Sequence, residues 1–261
     1  MTRDRRVLVH RDGAAVASAV AARFITKVID LLDAQDLVHV VLTGGRIGTA
    51  ILSSINDSAA RDAIDWSRVH IWWGDERWVA EGSNERNDTG ARTALLDHVA
   101  LNAAHVHSYP SRSPGAGTGP ELDNAAQTYR EALAAAAGDG QSVVPTFDIT
   151  FLGVGADGHI ASLFPDSAEI VDSLSTVLAV RNAPKQPPER LSLSLQAINS
   201  SDRIWLCLTG SDKASALGLA LAGASPEQVP AAGAHGRKHT VFFVDADAVS
   251  DIAEDLISSE Y

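Results

Sequence analysis

The chain of 261 residues contains one cysteine and one methionine, and no apolar run in it approaches the ~18 residues that a membrane span requires. A single thiol excludes an internal disulfide. Its position, Cys207 within the apolar run Ile204–Leu208, points to core packing rather than thiolate chemistry. The opening segment Met1-Thr2-Arg3-Asp4-Arg5-Arg6 lacks the apolar stretch of a signal peptide. Positive charge is in deficit, with 21 Lys and Arg against 33 Asp and Glu for a net charge of −12, and no basic stripe marks a nucleic-acid surface. These absences predict a cytoplasmic protein that engages neither membrane nor nucleic acid.

Several catalytic signatures are also missing. No G-x-S-x-G elbow occurs, which argues against the serine mechanism of α/β-hydrolases. No G-x-x-x-x-G-K-[ST] loop is present to cradle a nucleoside triphosphate. His105-x-His107 is the closest histidine pair, and no third ligand follows at zinc spacing, so no catalytic metal is expected.

What is present is an ordinary globular composition, 45% hydrophobic, and enough chain to bury a core without disulfides. Apolar, β-branched runs alternate with helical spacing throughout. Strands are predicted at Val7–His10, Val38–Leu42, Val69–Trp73, Phe147–Leu152, Thr176–Arg181, Arg203–Leu208 and Thr240–Asp245. Helices are predicted from the Asp12 cap to Ala34 and at Ile47–Ile55, Asn87–Val99, Glu121–Ala137, Lys213–Ala222 and Asp247–Ser258. The Pro-, Gly- and Ser-rich stretch Pro110–Pro120 is a loop, and the same pattern resumes after it, so residues 1–261 read as one domain. Continuous apolar strands separated by helices predict an α/β fold, a mostly parallel sheet with helices on both faces. Ligands in such sheets bind beyond the carboxyl ends of the strands.

Three strand ends carry unusual residues. After Val38–Leu42 comes Thr43-Gly44-Gly45-Arg46, a turn into a helix whose N-terminus would attract phosphate; a plain strand-to-helix turn reads the same way. After Val69–Trp73 comes Gly74-Asp75-Glu76-Arg77-Trp78, where two acids and a forked cation stand beside tryptophans. After the strand ending at Leu152 comes Gly153-Val154-Gly155-Ala156-Asp157-Gly158-His159. Its glycines match G-x-G-x-x-G, but Pro165 follows too soon for the long helix of a dinucleotide site. What remains is a glycine loop presenting Asp157 and His159. Two further segments add basic groups: Pro184-Lys185-Gln186-Pro187-Pro188-Glu189-Arg190, a stiff extended run, and Thr209-Gly210-Ser211-Asp212-Lys213 at another strand end.

In this order, the Thr43-Gly44-Gly45 turn, Trp73-Gly74-Asp75-Glu76-Arg77, the block Leu152–Pro165, Glu189-Arg190-Leu191, and Gly210 with Lys213 resemble the 6-phosphogluconolactonases. The most specific piece is Gly155-x-Asp157-Gly158-His159-x-Ala161-Ser162-Leu163-Phe164-Pro165. One departure stands at the first turn, where the family often reads Ser-Gly-Gly-Ser-Thr-Pro and this chain has Arg46 and Ile47 in place of the hydroxyls. The resemblance implies the fold of the glucosamine-6-phosphate deaminases. It also implies hydrolysis of 6-phospho-D-glucono-1,5-lactone, the second step of the oxidative pentose phosphate pathway, with no cofactor.

On that basis His159 is expected to be the general base toward water, with Asp157 or Asp75 orienting it. Backbone N–H groups of the Gly153–Gly158 loop are expected to receive the oxyanion. Gly44, Gly45, Arg46, Glu76, Arg77, Gly155, Arg190 and Lys213 are expected to bind substrate, the cations holding its phosphate. The sequence favours a monomer. Two other readings stay open. A deaminase would carry Asn-Glu-Pro where this chain has Leu163-Phe164-Pro165. A non-catalytic sugar-phosphate sensor would be expected to carry a fused DNA-binding segment ahead of the first strand.

Overall fold

The computed structural model describes residues 5–115, 119–138, 142–172, 174–250 and 252. Six strands form one wholly parallel sheet: β1 (Arg5–His10), β2 (Val38–Leu42), β3 (Val69–Trp73), β5 (Ile149–Gly153), β8 (Arg203–Leu208) and β9 (His239–Asp245). Their spatial order is β1-β9-β8-β5-β2-β3. Three short strands, β4 (Asp75–Arg77), β6 (Val177–Val180) and β7 (Arg190–Leu193), form a separate antiparallel sheet ordered β4-β7-β6.

Alternation along the strands supplies two apolar faces, and a helix covers each. The first helix, α1 (Gly13–Ala34), starts where the Asp12 carboxylate accepts the Ala15 N–H at 2.8 Å. It buries Val16, Val20, Phe24, Val28 and Leu32 along one stripe. Phe24 meets Phe151 of β5 at 5.5 Å between centroids. The next residue position, Thr150, points to the opposite face, where its register partners lead through Val41 to Trp72. Tyr129 of the helix Pro120–Ala137 stands edge-on to Trp72 there, at 5.8 Å.

The other helices important to the site are α2 (Gly45–Asn56), α3 (Asn87–Ala94), α4 (Pro120–Ala137) and α5 (Ala214–Leu221). The small sheet grows from the large one at Gly74. Its N–H donates to Leu42 O at 3.0 Å while its carbonyl accepts from Leu193 N–H at 2.8 Å, so β3 passes straight into β4.

Two expectations need correction, and a third falls largely outside the described residues. The predicted strand Thr176–Arg181 exists as β6 but lies in the small antiparallel sheet. The alternating Leu191–Leu195 run supplies its partner β7, whose buried serines face polar partners that a periodicity argument does not see. The helix predicted over Asn87–Val99 stops at Ala94, because Leu95 adopts φ −149° and breaks the helical path. The predicted terminal helix Asp247–Ser258 begins as a single 3-10 turn, Asp247–Val249, and most of its remaining length lies outside the described residues.

Candidate active site

Four adjacent strands, β8, β5, β2 and β3, end side by side, and the segments leaving them wall a cleft of about 220 Å³. From β5 comes the glycine loop, which folds back on itself. Gly155 N–H donates to His159 O at 2.9 Å and Gly158 N–H to Gly155 O at 3.0 Å. This fold-back sets Asp157 Oδ1 2.5 Å from His159 Nδ1. A Cβ on Gly155 would land on both side chains, which is the physical reason for glycine there. Burial would raise the Asp157 pKa, but the hydrogen bond and charge of His159, with the Lys185 charge, outweigh it and hold the carboxyl well below the usual range. An ionised carboxylate only accepts, so the shared proton sits on Nδ1 and the Nε2 lone pair is left for chemistry.

Asp75, the first residue of β4, does not hydrogen-bond His159. Its Oδ2 accepts from Ser162 Oγ at 2.7 Å and faces Arg190 Nη1 at 3.9 Å. Its backbone carbonyl accepts from the Asn87 amide at 2.8 Å. Of the two acids the sequence left open as partners of His159, the geometry selects Asp157. Asp75 instead ties the glycine-loop wall to the β4–β7 wall, and it borders the cleft.

Glu76 departs from expectation. It is 1% exposed, and its carboxylate accepts the N–H groups of Arg77, Asn87 and Asp88 at 2.7–2.9 Å. Burial pushes its pKa up to about 7 against the pull of Arg86 and those three amides. The side chain turns away from the cleft and organises the start of α3, so a substrate contact is not open to it.

The cationic side chains gather in the cleft wall. Arg46, Arg77, Lys185, Arg190 and Lys213 all line it. Arg77 Nη1 donates to Glu85 O at 2.9 Å and to Asn87 Oδ1 at 2.6 Å, which fixes its fork. Lys213 is paired with Asp212 at 2.9 Å on the loop between β8 and α5. That loop is anchored from β9, where the Asp245 carboxylate accepts Gly210 N–H at 3.0 Å. Gly44 is the N-cap of α2 and offers no side-chain cap, so the first-turn N–H groups of this helix open to the cleft beside Gly45 and Arg46. A Cβ on Gly44 would collide with the Asn87 amide.

Arg190 is nearly spent. Its Nε donates to Pro187 O at 2.9 Å, and its Nη2 donates to Lys185 O and Gln186 O, each at 3.1 Å. Nη1, toward Asp75, is its remaining donor. The oxyanion assignment to the glycine loop meets a similar obstacle. Gly153 N–H donates to Thr43 Oγ1 at 3.1 Å, and the Gly155 and Gly158 amides are bonded within the loop.

Lys185 and Asn87 were not singled out from sequence. Lys185 Nζ lies 3.2 Å from His159 Nδ1 and 3.6 Å from Asp157 Oδ1. The one available signal was a lysine in a proline-stiffened run that precedes a strand. Asn87 opened the predicted helix Asn87–Val99, with nothing local to show that it bridges Arg77 and Asp75. Cys207 lines the cleft floor, but burial raises its thiol far above the ordinary range, so it supplies no thiolate.

The sequence pattern of the glucosamine-6-phosphate isomerases/6-phosphogluconolactonase family matches residues 11–243. The chain belongs to this family. Among its relatives, the 6-phosphogluconolactonase of Streptomyces coelicolor is 44% identical over 252 residues, 96% of each chain. The Mycobacterium tuberculosis 6-phosphogluconolactonase is 42% identical over 92% of this chain and 96% of that one. The solved 6-phosphogluconolactonase of Trypanosoma brucei matches 97% of this chain and all of its own, with a TM-score of 0.84 at 24% identity. A monomeric glucosamine-6-phosphate deaminase superposes over 94% of the chain at TM-score 0.76 and 18% identity. These two structural matches, at such identities, establish the shared fold of the family.

Proposed function

We propose that this family member hydrolyses 6-phospho-D-glucono-1,5-lactone to 6-phospho-D-gluconate, as a metal-independent lactonase of the oxidative pentose phosphate pathway. The observation that carries the reading is the Asp157–His159 pair, held on a glycine loop at the mouth of a cationic cleft. Relatives above 40% identity over nearly the whole chain are 6-phosphogluconolactonases, which supports it.

His159 Nε2 takes a proton from water as the water oxygen attacks the lactone carbonyl carbon. Asp157 keeps the imidazole in the Nδ1–H tautomer and balances the imidazolium that forms. The carbonyl then re-forms, the ring C–O bond breaks, and the proton on Nε2 passes to the departing ring oxygen. Arg46, Arg77 and Lys213, with the open N-terminus of α2, hold the phosphate. Arg190 contributes chiefly by fixing the wall.

A deaminase reading receives no support from the site. At the position where that activity would place its glutamate stands Phe164, whose ring lies 4.8 Å from the His159 imidazole. Within the same proposal, residues 1–261 form a single domain that works as a cytoplasmic monomer. Among the described residues, one apolar core spans both sheets, and no helix is long and apolar enough to cross a membrane. The large exposed hydrophobics among the described residues come from several separate segments of the chain, which supports the monomer.

The testing experiment generates the lactone in situ with glucose-6-phosphate dehydrogenase and follows acid release above the spontaneous rate, with EDTA present. Acceleration by the purified protein is the expected result. No acceleration, with 6-phosphogluconate still bound, would move the assignment to a sensor.

A further inference from the structure

Hydrolysis of a lactone builds negative charge on the carbonyl oxygen, and that charge needs a preorganised positive partner near the attacked carbon. The glycine N–H groups of this loop are committed here. Gly153 N–H serves Thr43, Gly155 N–H serves His159 O, Gly158 N–H serves Gly155 O, and His159 N–H points at Asp157 Oδ1 at 3.4 Å. A side chain close to His159 can supply that partner, because the attacked carbon sits one water away from Nε2.

Among the five cations that line the cleft, Lys185 is the one in contact with the histidine, 3.2 Å from Nδ1. Arg77 is held by Glu85 and Asn87, Arg190 by three carbonyls, and Lys213 by Asp212. Lys185 cannot donate to Nδ1 while that nitrogen carries the proton shared with Asp157. Its remaining contact in the site is the long one to Asp157, at 3.6 Å. An ammonium has three donors, so Lys185 rests beside the reacting groups with donors to spare. Its backbone is also fixed, since the Arg190 guanidinium gathers the carbonyls of Lys185, Gln186 and Pro187.

We propose that Lys185 is a catalytic residue whose ammonium donates to the lactone carbonyl oxygen and stabilises the oxyanion, with Arg190 as the positioning residue that holds its loop. The inference rests on the lactonase reading. In the step, water oxygen bonds to the carbonyl carbon, its proton moves to His159 Nε2, and the carbonyl π pair moves to the oxygen facing Lys185. The pair returns as the ring C–O bond breaks, and the ring oxygen takes the proton from Nε2. Lys185 stays protonated throughout.

The experiment compares wild type with Lys185→Met, Lys185→Ala and Lys185→Arg in the lactone assay, with a thermal melt on each. Lys185 is half exposed, so the variants are expected to fold. Lys185→Met and Lys185→Ala are expected to lower kcat about 10²-fold, the usual weight of one oxyanion donor. KM is expected to stay within about threefold, since the loss falls on the transition state. Lys185→Arg is expected to recover part of kcat, which a purely structural role for the side chain does not predict. Unchanged kcat, or a raised KM with kcat retained, would overturn the proposal and make Lys185 a phosphate ligand or a bystander. An inactive wild type would instead bring down the lactonase reading, and this inference with it.

Discussion

Asp157 Oδ1 stands 2.5 Å from His159 Nδ1, two residues along the same glycine loop, and this contact fixes which imidazole nitrogen is free to act as a base. Replacing Asp157 with Asn keeps the shape and removes the charge that balances the imidazolium. Asp157→Asn is expected to lower kcat about 10²-fold or more, with KM little changed. Steady-state lactone hydrolysis checks this, and a retained kcat would mean that Asp157 does not serve His159.

Gly155 provides a test that alters none of the reacting groups chemically and changes only their placement. Its φ is not in the left-handed region, so Gly155→Ala meets no backbone objection. The new methyl would instead displace His159 and Asp157. The variant is expected to stay folded and to lose most of its kcat, read by the same assay beside a circular-dichroism melt. Full activity would show that the pair tolerates displacement.

Glu76 is expected to govern stability rather than substrate contact. Glu76→Ala leaves the N–H groups of Arg77, Asn87 and Asp88 without their acceptor and takes a carboxylate 3.8 Å from Arg86 Nη2, which keeps Asp88 and Tyr109 O. Leaving a buried donor unsatisfied costs about 1–3 kcal/mol. Urea unfolding measures the loss, and a change under about 1 kcal/mol would contradict the account.

A stacked group of histidines lies where β2 and β3 run beside the segment Ala103–His107. His39 and His70 stack at 4.6 Å, His70 and His105 at 3.8 Å, and His70 Nδ1 meets His107 Nε2 at 3.0 Å. Burial, followed by the charges of neighbouring imidazoles, pushes His39, His70 and His107 each down to about 4. A base whose folded pKa is lowered binds fewer protons when folded than when unfolded. Its contribution to stability is therefore whole above about pH 6.5 and is lost as pH falls toward about 4. Glu76 runs the other way, gaining as pH falls from about 7, but it is one group against three. The melting temperature is expected to fall between pH 6.5 and pH 4.5, and a flat or rising profile would contradict the buried neutral state.

The parallel sheet was legible because its strands are buried on both faces and read as unbroken apolar runs: Val38–Leu42, Val69–Trp73 and Arg203–Leu208 match their observed bounds. The small sheet was not, because buried polar residues interrupt its apolar pattern, and Ser192 is satisfied by Ser162, which is distant in sequence. The same limit applies at the cleft. Asp157 and His159 are two residues apart, so local glycine chemistry revealed them together. Lys185 reaches His159 across 26 residues, and Ser162 reaches Asp75 across 87. Glu76 looked like a site residue because it neighbours Arg77, but strand alternation sends the two side chains to opposite sides. The His39–His70 pairing needed the β2–β3 register, which no single segment contains.

The central claim is that His159, acting without a metal, activates water against the lactone. The most direct measurement is lactone hydrolysis by wild type and His159→Ala in EDTA, above the spontaneous rate. The account predicts that the wild-type rate survives EDTA and that His159→Ala, still folded, loses about 10²–10⁴ in kcat. A folded His159→Ala protein with wild-type kcat would contradict it.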